Sequence, residues 1–162
     1  MLKKCEQCGK AFEASQPYHK TCPECFTSRK SSEVPAEFLL ETYFDEKGNF
    51  LREVFIGLPE ILAKRFAGSG LSTKQLRDFH LLITRARNKA FLQEINVAKP
   101  ILWECERNVF YQLKRNAIPP NFARFLEHHL RLAEKNQNML DGFCQHLESI
   151  IAYFPKEKGG KQ

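Results

Sequence analysis

Four cysteines stand within the first 25 residues, in two Cys-x-x-Cys pairs: Cys5 with Cys8, and Cys22 with Cys25. Thirteen residues separate the pairs. Each pair can turn two sulfurs toward one point, and two pairs make the tetrahedral S₄ cage that Zn²⁺ accepts. Gly9 follows the first pair, where the backbone must turn tightly. Pro23 stiffens the second. Phe12 and Tyr18 are candidates for a small apolar floor. So short a segment buries too little apolar surface to fold alone, and bound metal would supply the missing folding free energy. Two disulfides would use the same residues. The chain opens Met-Leu-Lys-Lys-Cys with no apolar leader, and a reducing compartment favours metal. The reading is a Cys₄ zinc ribbon over residues 1–30. Four sulfurs complete the coordination, so His19 is surplus and the metal is structural.

The ribbon must be attached to something larger. The chain has 162 residues, 43% of them hydrophobic with 14 Phe, enough for one ordinary domain with a core. No apolar run approaches the ~18 residues of a membrane span, and the expected location is the cytoplasm. The net charge of +6 points to an acidic partner, nucleic acid first. The charge is uneven: residues 37–56 carry two basic and five acidic residues, whereas residues 72–115 carry nine basic and four acidic.

Residues 31–56 read as a linker that contains a short β-hairpin or extended arm. Strand-like runs flank Glu46-Lys47-Gly48-Asn49, and Gly48 and Asn49 both tolerate positive φ. From Leu58 the pattern is helical, and residues 57–155 are expected to form a bundle of about five helices. Leu58–Ala67 carries Pro59 in its first turn, and Gly68-Ser69-Gly70 supplies a left-handed cap. Ser72 and Gln75 have the spacing of a capping box, with Leu71 and Leu76 at the staple positions. That helix runs to about Leu92, with Leu76, Phe79, Ile83, Ala86 and Ala90 on its apolar face. Pro100 is expected to open the third helix. Its stripe is Ile101, Cys105, Val109 and Leu113, widened by Leu102 and Phe110. Ile118-Pro119-Pro120 breaks the chain and starts the fourth helix. The fifth ends at Pro155, and residues 156–162 read as a flexible tail. The fold class is mostly α, with the ribbon in front.

No P-loop, Gly-x-Ser-x-Gly, His-Glu-x-x-His or dinucleotide fingerprint is present. His128 and His129 are adjacent, so on a helix they point about 100° apart and cannot share one ion. Together with His80 and His146 they read as ordinary surface or core-edge histidines. Cys105 and Cys144 sit on apolar stripes and read as inert core. No catalytic residue is assigned, and the expectation is a protein without enzymatic activity. The basic residues say more. Lys74, Arg77 and Arg85 lie off the apolar stripe of their helix, and Arg87 broadens the positive surface. Such a row can follow a phosphate backbone without reading bases. Lys114 and Arg115 can join it, or simply answer the negative end of the third helix. Trp103 and Tyr111 can stack on bases or pack in the interior.

Four segments, in order, resemble a known family: Leu71-Ser-Thr-Lys-Gln-Leu-Arg-Asp-Phe-His80, Lys99-Pro-Ile-Leu-Trp-Glu-Cys-Glu-Arg107, Phe122-Ala-Arg-Phe-Leu126 and Leu147-Glu-Ser-Ile-Ile-Ala-Tyr-Phe154. They look like the helical small subunit of type III-A CRISPR effector (Csm) complexes, an antiviral defence system. The ribbon is an addition to the family pattern. The resemblance implies a non-catalytic subunit whose copies stack along the guide RNA–target RNA duplex. It implies contacts with the backbone subunits, with the large cyclase-like subunit and with neighbouring copies, and basic residues that hold RNA. Lys74, Arg77 and Arg107 fall inside the matching segments, while Arg85 and Arg87 rest on charge alone. The other reading is a zinc-ribbon adaptor that binds only protein.

Overall fold

The structure, a computed structural model, describes residues 2–6, 9–14, 20, 22–23 and 34–156. It has two units, Met1–Glu33 and Val34–Gln162. In the first, β1 (Leu2–Lys4) and β2 (Ala11–Glu13) pair antiparallel, with Lys3 opposite Phe12. The second holds α1 (Leu58–Gly68), α2 (Thr73–Leu92), α3 (Ile95–Lys114), α4 (Pro120–Ala133) and α5 (Gln137–Tyr153). α5 packs against α1, α2 and α4, and α3 packs against α2 and α4. No helix among the described residues is long and apolar enough to cross a membrane.

The helix ends follow local chemistry. The Gln75 N–H donates to Ser72 Oγ and the Ser72 N–H donates to Gln75 Oε1, both at 3.1 Å, completing the capping box. Gln75 Nε2 also donates to the Ala117 carbonyl at 2.5 Å, which sets the start of α2 beside the end of α3. α1 closes with Gly70 at φ +100°, the Leu71 N–H reaching back to the Phe66 carbonyl. α3 closes the same way with Asn116 at φ +56° and the Ala117 N–H on the Gln112 carbonyl. Asn136 caps α5 through the Met139 N–H.

Pro100 does not open α3; the helix begins at Ile95 and carries Pro100 in its second turn. The missing N–H deprives the Asn96 carbonyl of a partner, but Asn96 is exposed and water can replace it. Phe110 does not widen the core stripe and faces solvent. Residues 34–56 are not a free linker or arm. The expected hairpin reduces to one bridge, Phe44 to Phe50, around a turn in which Gly48 alone takes positive φ. Asp45 Oδ1 accepts from the Lys47 and Asn49 N–H groups to hold that turn.

The segment is instead a strap over the helices, with Val34, Tyr43 and Val54 buried in the main core. Three histidines fasten it. The Leu40 carbonyl accepts from His128 Nε2 at 2.7 Å, and the Val54 carbonyl accepts from His146 Nδ1 at 2.9 Å. The Tyr43 hydroxyl shares a 2.5 Å hydrogen bond with His129 Nδ1. His129 and His146 are fully buried, so they are not the surface or core-edge residues expected. Their Nε2 atoms are buried without a protein partner. Tyr43 lies directly on Gly142 of α5: a Cβ there would stand 2.5 Å from the Tyr43 ring.

Two predictions follow from this fastening. Gly142→Ala must push Tyr43 out of place and is expected to cost about 1–3 kcal/mol, read as a lowered denaturant midpoint. Burial holds the His129 imidazole well below its ordinary 6.5, and it pushes His146 down to about 4. Both are neutral when folded and gain a proton more readily when unfolded. The stability is therefore complete above pH 6.5 and is lost as pH falls toward 4, on the order of 3 kcal/mol for His146 alone. Denaturant titrations of wild type and His146→Gln across that window should differ in slope; parallel profiles would reject the assignment.

Candidate functional site

The first unit carries half of the expected zinc ligands within the described residues. The Cys5 N–H donates to the Lys10 carbonyl and the Gly9 N–H to the Cys5 carbonyl, both at 2.9 Å. Gly9 makes this turn at φ +73°. Cys5 and Cys22, one from each pair, are buried together with Phe12. Cys8, Cys25, Tyr18 and His19 lie outside the described residues. Among the described residues, which include two of the four cysteines, no three potential metal-binding side chains converge.

In the helical unit the expected basic residues divide by their partners. Lys74 is held by Asp78 at 2.7 Å along α2. Arg85 pairs with Glu104 at 3.0 Å, linking the exposed faces of α2 and α3. Arg87 points elsewhere, toward Asp141 of α5 at 3.8 Å, with most of its side chain covered. Arg77, Arg107 and Lys114 are exposed and make no ion pair among the described residues. Arg115 donates to the Tyr111 hydroxyl at 3.2 Å and lies over the Tyr111 ring.

Several of these positions share one end of the α2–α3 pair. The Gln75–Ala117 hydrogen bond brings Lys74 and Arg77 to the same end of the α2–α3 pair as Lys114 and Arg115. Further along, Leu82, Glu104, Arg107, Asn108 and Tyr111 line a hollow of about 360 Å³ between α2 and α3. Arg85 borders it through its bond to Glu104.

A second hollow of about 390 Å³ was not anticipated. Arg124, His128, Arg131 and Lys135 line it with Glu127 and the aliphatic Val34, Leu39 and Leu132. The spacing of Arg124, His128, Arg131 and Lys135 already puts them on one side of α4 and its extension. What no spacing reveals is that residues 34–39 lie beside them.

Cys105 and Cys144 are buried and His80 is partly buried. Burial pushes the Cys105 thiol up to about 12, reinforced by Glu104 and Glu106. A thiol held that high is no nucleophile at neutral pH. Burial also raises Cys144, whose sulfur lies 3.6 Å from Thr84 Oγ1 and 4.0 Å from His80 Nε2. His80 is lowered by burial, against the pull of Glu148.

Five helices around a shared interior, with cations and aromatic rings displayed on the outer faces of α2 and α3, define a helical subunit whose distinctive chemistry lies on its surface. The family model Csm2 Type III-A matches residues 53–159, more than half of the chain. The chain belongs to that family, the small subunit of type III-A CRISPR effector complexes. β1, β2 and the first part of the strap lie outside the matched span. No curated protein and no solved structure matches the chain.

Proposed function

We propose that this small subunit is a non-catalytic RNA-binding component of the effector ribonucleoprotein, lying along the guide RNA–target RNA duplex and gripping phosphates through α2 and α3. The supporting observation is the set Arg77, Arg107 and Lys114, exposed, without carboxylate partners among the described residues and inside the family-matched span. Phosphates need no sequence reading here, because base pairing between guide and target supplies it. Lys74 and Arg85 are partly neutralised by Asp78 and Glu104 and contribute less; Arg87 faces Asp141 and contributes least.

The protein partners in this reading are the backbone and large cyclase-like subunits and neighbouring copies of the chain. Phe91 and Leu92, at the end of α2, are 77% and 79% exposed and favour a protein contact at that tip. They are also the observation that favours the second reading, an adaptor that binds protein alone. In both readings Cys5, Cys8, Cys22 and Cys25 would hold a structural Zn²⁺, which stabilises the small first unit.

RNA binding is expected to weaken steeply with salt. Arg77→Ala and Arg107→Ala should each lower the slope of log K against log salt by about one, whatever the RNA sequence. Lys74→Ala should lower it less. Affinity that does not change with salt would reject the interface in favour of the adaptor. For the metal, elemental analysis of purified protein should find about one zinc per chain, lost in a Cys5→Ser, Cys22→Ser double variant. Protein that is metal-free as isolated from zinc-supplemented culture would reject the ribbon.

A further inference from the structure

The outer face of α3 is unusual for a helix packed on two neighbours. Trp103, Phe110 and Tyr111 are 52%, 66% and 55% exposed. Sequence spacing left Trp103 and Tyr111 between stacking and packing, and the structure removes the second option. Trp103, Arg107, Phe110 and Lys114 follow one another at i, i+4, i+7 and i+11, which is one stripe on a helix. Ring and cation therefore alternate along it. The Trp103 indole N–H donates to Glu134, which holds that ring in place while it stays exposed, and the Arg115 guanidinium lies over one face of Tyr111. Trp103 and Phe110 are seven residues apart, about 10 Å along the axis.

We propose that this stripe is a stacking platform for unpaired RNA bases: the rings of Trp103 and Phe110 receive bases, and Arg107 and Lys114 between and beyond them hold the intervening phosphates. The inference rests on the RNA-binding reading above and adds to it a preference for nucleotides outside a duplex. Within a duplex both faces of a base are already stacked, so apart from the two end pairs only an unpaired base has a face to offer. Every base has such a face, which makes the contact indifferent to sequence, as the reading requires. Charge selects RNA over a protein partner. Arg107 and Lys114 make no ion pair among the described residues, a surplus of positive charge that a phosphate backbone answers. The hollow beside Tyr111 adds hydrogen-bonding groups at the edge of the platform, from Asn108, Glu104 and Arg107.

Trp103 is the single tryptophan of the chain and reports on its own surroundings. The full-length protein is titrated with an unstructured single-stranded RNA and with the same sequence as a blunt duplex. The expected result is quenching of Trp103 emission by the single strand and little change with the duplex. Phe110→Ala should weaken single-strand binding about tenfold, leave duplex binding unchanged, and be restored by Phe110→Tyr. Circular dichroism checks the fold of each variant, and the wild-type emission needs no variant at all. Binding that is salt-dependent and sensitive to Arg77→Ala, with Trp103 emission unmoved and Phe110→Ala silent, would overturn the platform and leave RNA binding standing. Emission that responds only to the other protein subunits would assign the face to a protein and overturn the platform as well. No binding of either RNA would remove both readings together.

Discussion

Tyr43 holds the second unit in register. Its ring fills the space that the absent side chain of Gly142 leaves on α5, and its hydroxyl ends on a buried imidazole. A buried phenol without a partner would cost a few kcal/mol, so the tyrosine, the glycine and His129 stand or fall together. With that contact made, residues 34–56 close over α4 and α5, and the carbonyls of Leu40 and Val54 find donors on His128 and His146. The consequence for the site is one of side. One flank of the bundle is roofed by the strap, while the α2–α3 pair remains open to a partner.

That open flank is arranged by its ion pairs as much as by its cations. Arg85 and Glu104 tie α2 to α3, and Arg87 and Asp141 tie α2 to α5. The exposed Arg85–Glu104 pair adds little stability, but both pairs determine which charges are already answered. Of the cations expected at the interface, Arg107 and Lys114 have no such partner and lie on the helix that also shows its aromatic rings, and Arg77 has none on α2. The family match places these helices in the small subunit of a type III-A CRISPR effector complex.

Most of the helical body was legible in the sequence because its signals are local. Ser72 and Gln75 announce α2 within four residues, and Pro119-Pro120 announce α4. The misreadings share a different cause. Apolar periodicity marks a face but does not say what covers it, so Phe110 was assigned to the interior on the strength of its neighbours. Pro100 reads as a helix start because proline suits a first turn, where its missing N–H costs nothing, yet Ile95, Val97 and Ala98 already carry the helix before it. The strap was missed because its energy comes from residues far along the chain: Tyr43 and His129 are separated by 86 positions. His129 and His146 were within reach, since each continues an apolar stripe, after Phe122 and Phe125 in one case and Phe143 in the other. A polar residue on such a stripe is a request for a buried partner. For the surface, spacing identified the cations, but only packing showed which of them Asp78, Glu104 and Asp141 already answer.

The region common to the family starts at residue 53, and the helices start at Leu58. A fragment trimmed to either boundary would retain α1 to α5 and yet be hollow, with a ring-sized void over Gly142 and the imidazoles of His128 and His129 uncovered. Such a piece would expose greasy surface and self-associate through it, mimicking an assembly property that the intact chain need not have. The shortest version with a whole interior begins at Val34.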